Sequence, residues 1–295
     1  SYWNDVIYRL AKINKGQNSI ELVFGLGCYY DFISTCEVVG QETLKELKKH
    51  KIGLLRRRLG MLSDDELLLL FKKINKNLPL RRELADTKEE LEDPSIKAIK
   101  MGINNVTLLR DPKSDAYKFL LARRSSLVLE YPNAYHVVPA GTFQPSMRRS
   151  EKFSSLESEP LGIVLKEFYE ECFLGFKNNK KIIQDKYQLS LDKILNKKEI
   201  KPIIENLGDP KKVEFHIMGI YFDYFVPKVE MTTCLVIHDP QYLQTLEENN
   251  ELVLNWEYGS KLLKEYFTSD NVNKWVKSEN MLPIGAIALE DAAYI

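Results

Sequence analysis

Apolar and polar residues alternate at the start of the chain. NDVIYRLAKI and SIELVFGLGCYYDF, separated by the turn-rich NKGQN, predict a β-hairpin within residues 4–40. The period then changes. QETLKELKKHKIGLLRRRL and SDDELLLLFKKI, within 41–83, have helical spacing, and Ser63 ahead of Glu66 is a capping-box signal. The following LADTKEELEDPSIK (84–97) is charged, contains Pro94 and has little to bury, which places a boundary within 85–100. The reading is therefore an α+β domain over 1–98 and a second domain over 99–295.

The second part opens with another hairpin, NVTLLRD (105–111) and AYKFLLARRS (116–125) joined by PKSD. LVLEYPNAYHVVPAG (127–141) is an extended stretch broken by Pro132 and closed by Pro139 and Gly141. EPLGIVLKEFYEECFLGF (159–176) returns to helical spacing, with Pro160 suited to the first turn and Ser158 able to cap it. Leu161, Leu165 and Phe168 share one face of that helix, and Glu167, Glu170 and Glu171 gather on another. Residues 177–201 hold eight lysines against three acids, a composition that suits a solvated helical face. Strands resume at VEFHIMGIYFDYFV (213–226) and MTTCLVIHD (231–239), and two short helices with a buried terminal segment are expected to finish the chain.

Composition narrows the partners. Lys plus Arg and Asp plus Glu each number 42, so net charge gives no reason to expect general nucleic-acid binding or an anionic membrane surface. The longest apolar runs, such as LLLLF (67–71), fall far short of a membrane span. Cys28, Cys36, Cys172 and Cys234 lack CxxC spacing and read as reduced, mostly buried thiols. The first residues lack the basic-then-apolar pattern of a secretory signal, which together with the cysteines points to a cytoplasmic setting.

Candidate chemistry centres on the helix. Carboxylates at i, i+3 and i+4 repel one another, and a cation is the natural remedy, with Lys166 at i−4 to Glu170 offsetting part of the repulsion. His136 and His216 read as core or edge residues, and His238, before Asp239-Pro240, as part of a turn. FGLGCYY lacks the third glycine and the helix of a dinucleotide fingerprint, and its tyrosines read as strand residues packed in a core.

The order of hairpin, strand ending LLARRS, segment ending VVPAG and helix LKEFYEECFLGF resembles the Nudix hydrolase family. Gly141 matches the glycine that opens the family box, Glu167 the glutamate after its arginine, Phe168 its aliphatic residue, and Glu170 and Glu171 its paired glutamates. Lys166 stands where the family has arginine, Phe173 where it has a late glycine, and the interval from Gly141 to Lys166 is lengthened within QPSMRRSEKFSSLESE. Glu151, Glu157 and Glu159 therefore compete for the remaining box glutamate.

The resemblance implies an α/β/α sandwich with a mixed sheet and an Mg²⁺- or Mn²⁺-dependent hydrolase cleaving a nucleoside diphosphate linked to another moiety. It implies Glu167, Glu170 and Glu171 as metal ligands, with Lys166 beside them in the catalytic set. Glu257, in LNWEYG, is the candidate for a further loop carboxylate and metal ligand, and Arg123, Arg124 and Gly141 are candidates for contact with substrate. A homodimer is among the assemblies this reading accommodates. The alternative is a Nudix-like module that binds a nucleotide metabolite without turning it over, a reading favoured by Lys166, the insertion and the additional domain.

Overall fold

In a computed structural model of the chain, the described residues are 6–17, 19–49, 69, 72, 76–84, 97–128, 131–145, 159–174, 190–223, 226–249, 251–259 and 261–295. The helix expected after Ser63, most of the charged 84–97 segment, the first part of the lysine-rich stretch, and Glu151, Glu157 and Ser158 lie outside them. Two compact units emerge: Ser1–Gly102 with Tyr221–Glu230, and Ile103–Ile220 with Met231–Ile295. Among the described residues no helix is long and apolar enough to cross a membrane.

In the first unit β1 (Val6–Lys15) and β2 (Ile20–Cys28) pair antiparallel, from Val6 opposite Cys28 to Lys15 opposite Ile20, with an irregularity between Leu10 and Lys12. The turn closes through the Gly16 amide donating to Ser19 O (2.8 Å), and Ile7 and Leu10 are buried. Beyond Cys28 the strand expectation fails. Tyr29–Phe32 is a short helix, α1, because the Asp31 carboxylate accepts from the Cys28 amide (3.0 Å) and starts a turn there. A π-helical turn, Ile33–Glu37, leads into α2 (Val38–Lys49). Glu42 of α2 accepts from the Leu80 and Arg81 amides (2.9 and 3.0 Å), satisfying the otherwise orphaned N-terminal donors of α3 (Pro79–Leu84).

The larger sheet, most of whose residues belong to the second unit, is built on β3 (Met101–Arg110), β4 (Tyr117–Arg123), β5 (Tyr135–Val137), β7 (Val213–Asp223) and β8 (Lys228–Ile237), in the order β5-β4-β3-β8-β7. Two short strands extend it: β6 (Ala140–Thr142) beside β3, and β9 (Leu263–Tyr266) beside β4. β4 pairs antiparallel with β3, β5 and β9, and an isolated parallel bridge joins Tyr135 to Met281. The expected α/β class with a mixed sheet is what the chain adopts.

β3 and β8 are buried on both faces, their polar Asn104, Asn105, Thr107, Thr232 and Thr233 included. One face presents Val106, Leu108, Phe119, Leu121, Val137, Cys234 and Val236 to Val272 and Trp275 of α8 (Ser269–Val276) and to Ala288, Leu289 and Ala292 of α9 (Pro283–Ala292). The glutamate-bearing helix α4 (Pro160–Cys172) packs against β6 and against α5 (Leu191–Leu195). Among the described residues, α6 (Lys201–Asn206) and α7 (Pro240–Glu248) are the remaining helices of this unit. The chain thus ends with α7, β9, α8 and α9 where two helices were expected, and Tyr294 and Ile295 are exposed although α9 before them buries Gly285, Ala288, Leu289 and Ala292.

His136 is buried, as a core histidine. His238 does more than shape a turn: its Nδ1 lies 2.6 Å from the Tyr117 hydroxyl and its Nε2 2.8 Å from Glu214, which also meets His216 at 3.0 Å. The hydrogen bond from His238 holds the Glu214 carboxyl below its usual pKa.

At the end of β3, Asp111 accepts from Tyr266 (2.8 Å) and Ser114 (2.9 Å) and pairs with Lys118 (3.2 Å). Burial pulls its pKa upward, but these partners prevail and hold it at about 2, below the ordinary 3.8. A depressed carboxylate stabilises the fold above its unfolded pKa and loses that contribution as pH falls through the folded value. Asp111→Asn is expected to be less stable than the parent at neutral pH, with the difference shrinking as pH falls from 3.8 to about 2. Urea unfolding across that range checks it, and a gap independent of pH would contradict the assignment.

Candidate functional site

Helix α4 starts where Pro160 supplies a preset φ and no amide hydrogen to satisfy. Glu159 is its N-cap and makes no side-chain cap bond. Leu161, Ile163, Val164, Leu165 and Phe168 drive its burial, and the helix is covered nearly all round. The carboxylates are therefore not on a wet face. Glu167, Glu170 and Glu171 retain 8%, 2% and 1% of their exposure. Lys166 Nζ stands 3.8 Å from Glu167 and 3.9 Å from Glu170, beyond hydrogen-bonding distance but close enough to offset charge.

The start of β6 and a later loop close on these side chains. Ahead of the helix, the Ala140 amide donates to Glu171 Oε2 (3.0 Å), and Gly141 lies directly against Glu167. A Cβ built on Gly141 would fall 2.3 Å from Glu167 Cδ, so only glycine allows that approach.

Behind the helix, the Val253 and Asn255 amides donate to Cys172 O (2.7 Å) and Glu171 O (3.0 Å), and Asn255 Nδ2 reaches Glu170 O (3.3 Å). These are carbonyls that a helix C-terminus leaves unsatisfied. Asn255 Oδ1 then accepts from the Glu257 amide (2.9 Å), an Asx-type turn that sets where Glu257 leaves the loop. The Ser125 amide donates to Glu257 O (2.7 Å), and Arg124 bridges Tyr258, so the end of β4 holds the same loop from its other side. Sequence reasoning missed Asn255 and Tyr258; the Asn-x-Glu spacing was the available signal for the first.

The electrostatics identify which groups face one another. Glu171 is pushed well above the usual carboxylate range, first by burial and then by the negative charges of Glu257 and Glu167, while the Ala140 amide and the Tyr258 hydroxyl counteract. Tyr258 is likewise raised by burial and by Glu171 and Glu257, and lowered by Arg124. Glu167, Glu171, Glu257, Tyr258 and Arg124 thus form one electrostatic neighbourhood. Arg123 points elsewhere: it is exposed, with Nε donating to Asn133 O (3.1 Å). Among the described residues no three His, Cys, Asp or Glu side chains are already assembled as a metal cage.

No protein family matches the chain by sequence, and no curated protein does. Similar solved structures exist. They include a Nudix hydrolase from Alicyclobacillus acidocaldarius, at 13% identity, covering 65% of this chain and 90% of that one, with a TM-score of 0.36. The Nudix domain of Shewanella oneidensis NrtR complexed with ADP-ribose is 11% identical, covering 70% and 97%, with a TM-score of 0.36. A C. elegans Ap4A hydrolase is 11% identical, covering 66% and 96%, with a TM-score of 0.34. Similarity this low transfers no residue role. The chemistry of the site rests on its own residues.

A carboxylic acid with a raised folded pKa favours the fold below its unfolded value of 4.5 and loses that contribution as pH rises. With divalent cations chelated, Glu171→Gln keeps an oxygen for the Ala140 amide and removes the charge. Its melting midpoint at neutral pH is expected to exceed that of the parent by ~2 °C or more, the shift produced by about 1 kcal/mol in a chain of this size. Scanning calorimetry in chelator is the measurement, and an unchanged or lower midpoint would contradict the burial argument.

Proposed function

We propose that the second unit is a metal-dependent hydrolase of the Nudix type, cleaving the diphosphate linkage of a nucleoside diphosphate joined to another moiety. The observation that supports this most directly is the meeting of Glu167 and Glu171, from one buried helix, with Glu257, from a loop, closely enough that their charges raise the pKa of Glu171. Repulsion among buried carboxylates is relieved by a cation, and an all-oxygen donor set suits Mg²⁺ or Mn²⁺. Glu167, Glu171 and Glu257 would hold it, with Glu170 completing the box. Bound there, the ion supplies neutralisation of phosphoryl charge and activation of water near neutral pH.

The remaining roles belong to the protein. Gly141 lets the loop pack directly on Glu167, and the Ala140 amide orients one oxygen of Glu171. Lys166 moderates repulsion between Glu167 and Glu170 without a fork geometry. Arg124, close enough to influence Tyr258, offers a guanidinium to a phosphoryl oxygen. Arg123, on the Asn133 carbonyl, is assigned a lesser part in substrate contact.

The looser Lys166 geometry is the observation that favours the second reading, a nucleotide-metabolite sensor. One experiment separates the two: a panel of nucleotide sugars, dinucleotides, capped nucleotides and nucleoside triphosphates with Mg²⁺ or Mn²⁺, reading out phosphate-containing products. For the hydrolase, Glu167→Gln is expected to lower turnover by at least ~10²-fold, the lower range for losing a positioned catalytic group. Lys166→Arg should preserve or raise it, and Glu170→Gln or Glu171→Gln should weaken Mn²⁺ binding. Tight nucleotide binding without product across the panel would establish the sensor instead.

A further inference from the structure

Asn105 and Thr107 on β3 and Thr233 on β8 are polar side chains with no exposure at all, and they meet on one side of the sheet. They form a directed chain. The Thr233 hydroxyl donates to Asn105 Oδ1 (3.0 Å), Asn105 Nδ2 donates to Thr107 Oγ1 (2.9 Å), and the Thr107 hydroxyl donates to the Val138 carbonyl (3.1 Å). The Asn105 backbone amide donates to the next carbonyl, that of Pro139 (3.0 Å). Two successive carbonyls of the loop are thus tied to β3 immediately before the Ala140 amide turns to Glu171 and Gly141 meets Glu167.

Valine has the shape of threonine, is a better strand former and raises no question of a buried donor. Polar groups at these positions therefore call for something only they can do. The Thr107 hydroxyl, which already accepts from Asn105, has the Val138 carbonyl as its own acceptor, so this buried donor is matched only with that carbonyl in its present place. Displacing that carbonyl would shift the Ala140 amide and the glycine contact together, and with them one oxygen of Glu171 and the body of Glu167.

We infer that Thr233, Asn105 and Thr107 act as a positioning relay that locks the Val138–Gly141 loop and so sets the placement of Glu167 and Glu171 for a divalent cation. The inference rests on the proposed metal-binding reading for its functional consequence, but its structural half is testable without metal. Thr107 is the residue to alter, since it makes the last contact and lies outside the carboxylate set.

Thr107→Val removes the hydroxyl at nearly constant volume, and Thr107→Ser restores it. Hydrogen exchange of the Ala140 amide is expected to quicken ~10-fold in Thr107→Val and to return towards the parent in Thr107→Ser, with amides of β4 and α8 unchanged as internal controls. Mn²⁺ binding by calorimetry should weaken by ~10-fold in the valine variant and recover in the serine variant. Thr233→Val, at the far end of the relay, should move both readings in the same direction by less, and provides a second variant should Thr107→Val fail to fold. A folded Thr107→Val or Thr233→Val with parental Ala140 exchange would overturn the relay. Faster Ala140 exchange with unaltered Mn²⁺ affinity would reduce it to a packing feature and overturn its role at the site. A wild-type chain that binds no Mn²⁺ would instead count against the proposed function, while the exchange measurement would still decide whether the loop is locked.

Discussion

The second unit is organised around an expensive arrangement, the burial of ionisable carboxylates on a single helix. Glu167, Glu170 and Glu171 are almost fully removed from water, and the pKa of Glu171 is pushed well above its usual range by that burial and by the charges of Glu257 and Glu167. Stripping a carboxylate of water costs several kcal/mol unless charge or hydrogen bonds replace it. Apolar packing of Ile163, Val164, Leu165 and Phe168 carries the helix inward regardless, and the carboxylates are drawn in with it. Against that cost and the added charge of Glu257 stand the compensating neighbours: Lys166 along the helix, the Ala140 amide, the Tyr258 hydroxyl, and in the proposed function a divalent cation.

That compensation comes from irregular chain held by polar anchors. Asn255 satisfies carbonyls at the end of α4 with its amide and its side chain, and its remaining oxygen receives the Glu257 amide. On the other side, Asn105 and Thr107 hold the carbonyls of Val138 and Pro139. Each segment has its own backbone groups hydrogen-bonded where it meets a carboxylate. Side chains that must be placed to a fraction of an ångström are better held by such fixed backbone than by long flexible neighbours.

The first unit solves a different problem with related means. Lys97 and Lys100 are buried there, and the Lys100 ammonium lies 4.4 Å from the Phe32 ring centroid and 5.6 Å from that of Tyr29. Burial raises the Cys36 thiol to about 11, even though both lysines act to lower it, which leaves the thiol protonated and unreactive at neutral pH. The π-helical turn Ile33–Glu37 carries both Cys36 and the buried Glu37.

Much of this was legible in the residues. The first hairpin, the β3–β4 hairpin and the glutamate helix follow from period and turn chemistry, and the spacing of Glu167, Glu170 and Glu171 by itself places three carboxylates on one side of a helix. Local pattern was a poorer guide at Tyr29–Phe32, where a single Asp31 side chain turned an expected strand into a helix. Nor could spacing say that the carboxylates are buried, since a charged helix face reads as solvated until its surroundings are known. The contacts that decide the site join residues far apart in sequence: Gly141 with Glu167, Ala140 with Glu171, Asn255 with Glu170, and Thr233 with Asn105. Periodicity reports only which side of its own element a residue occupies. Which groups share a dry interior, and hence what their charges and protons do, is determined by the packing of distant elements against one another.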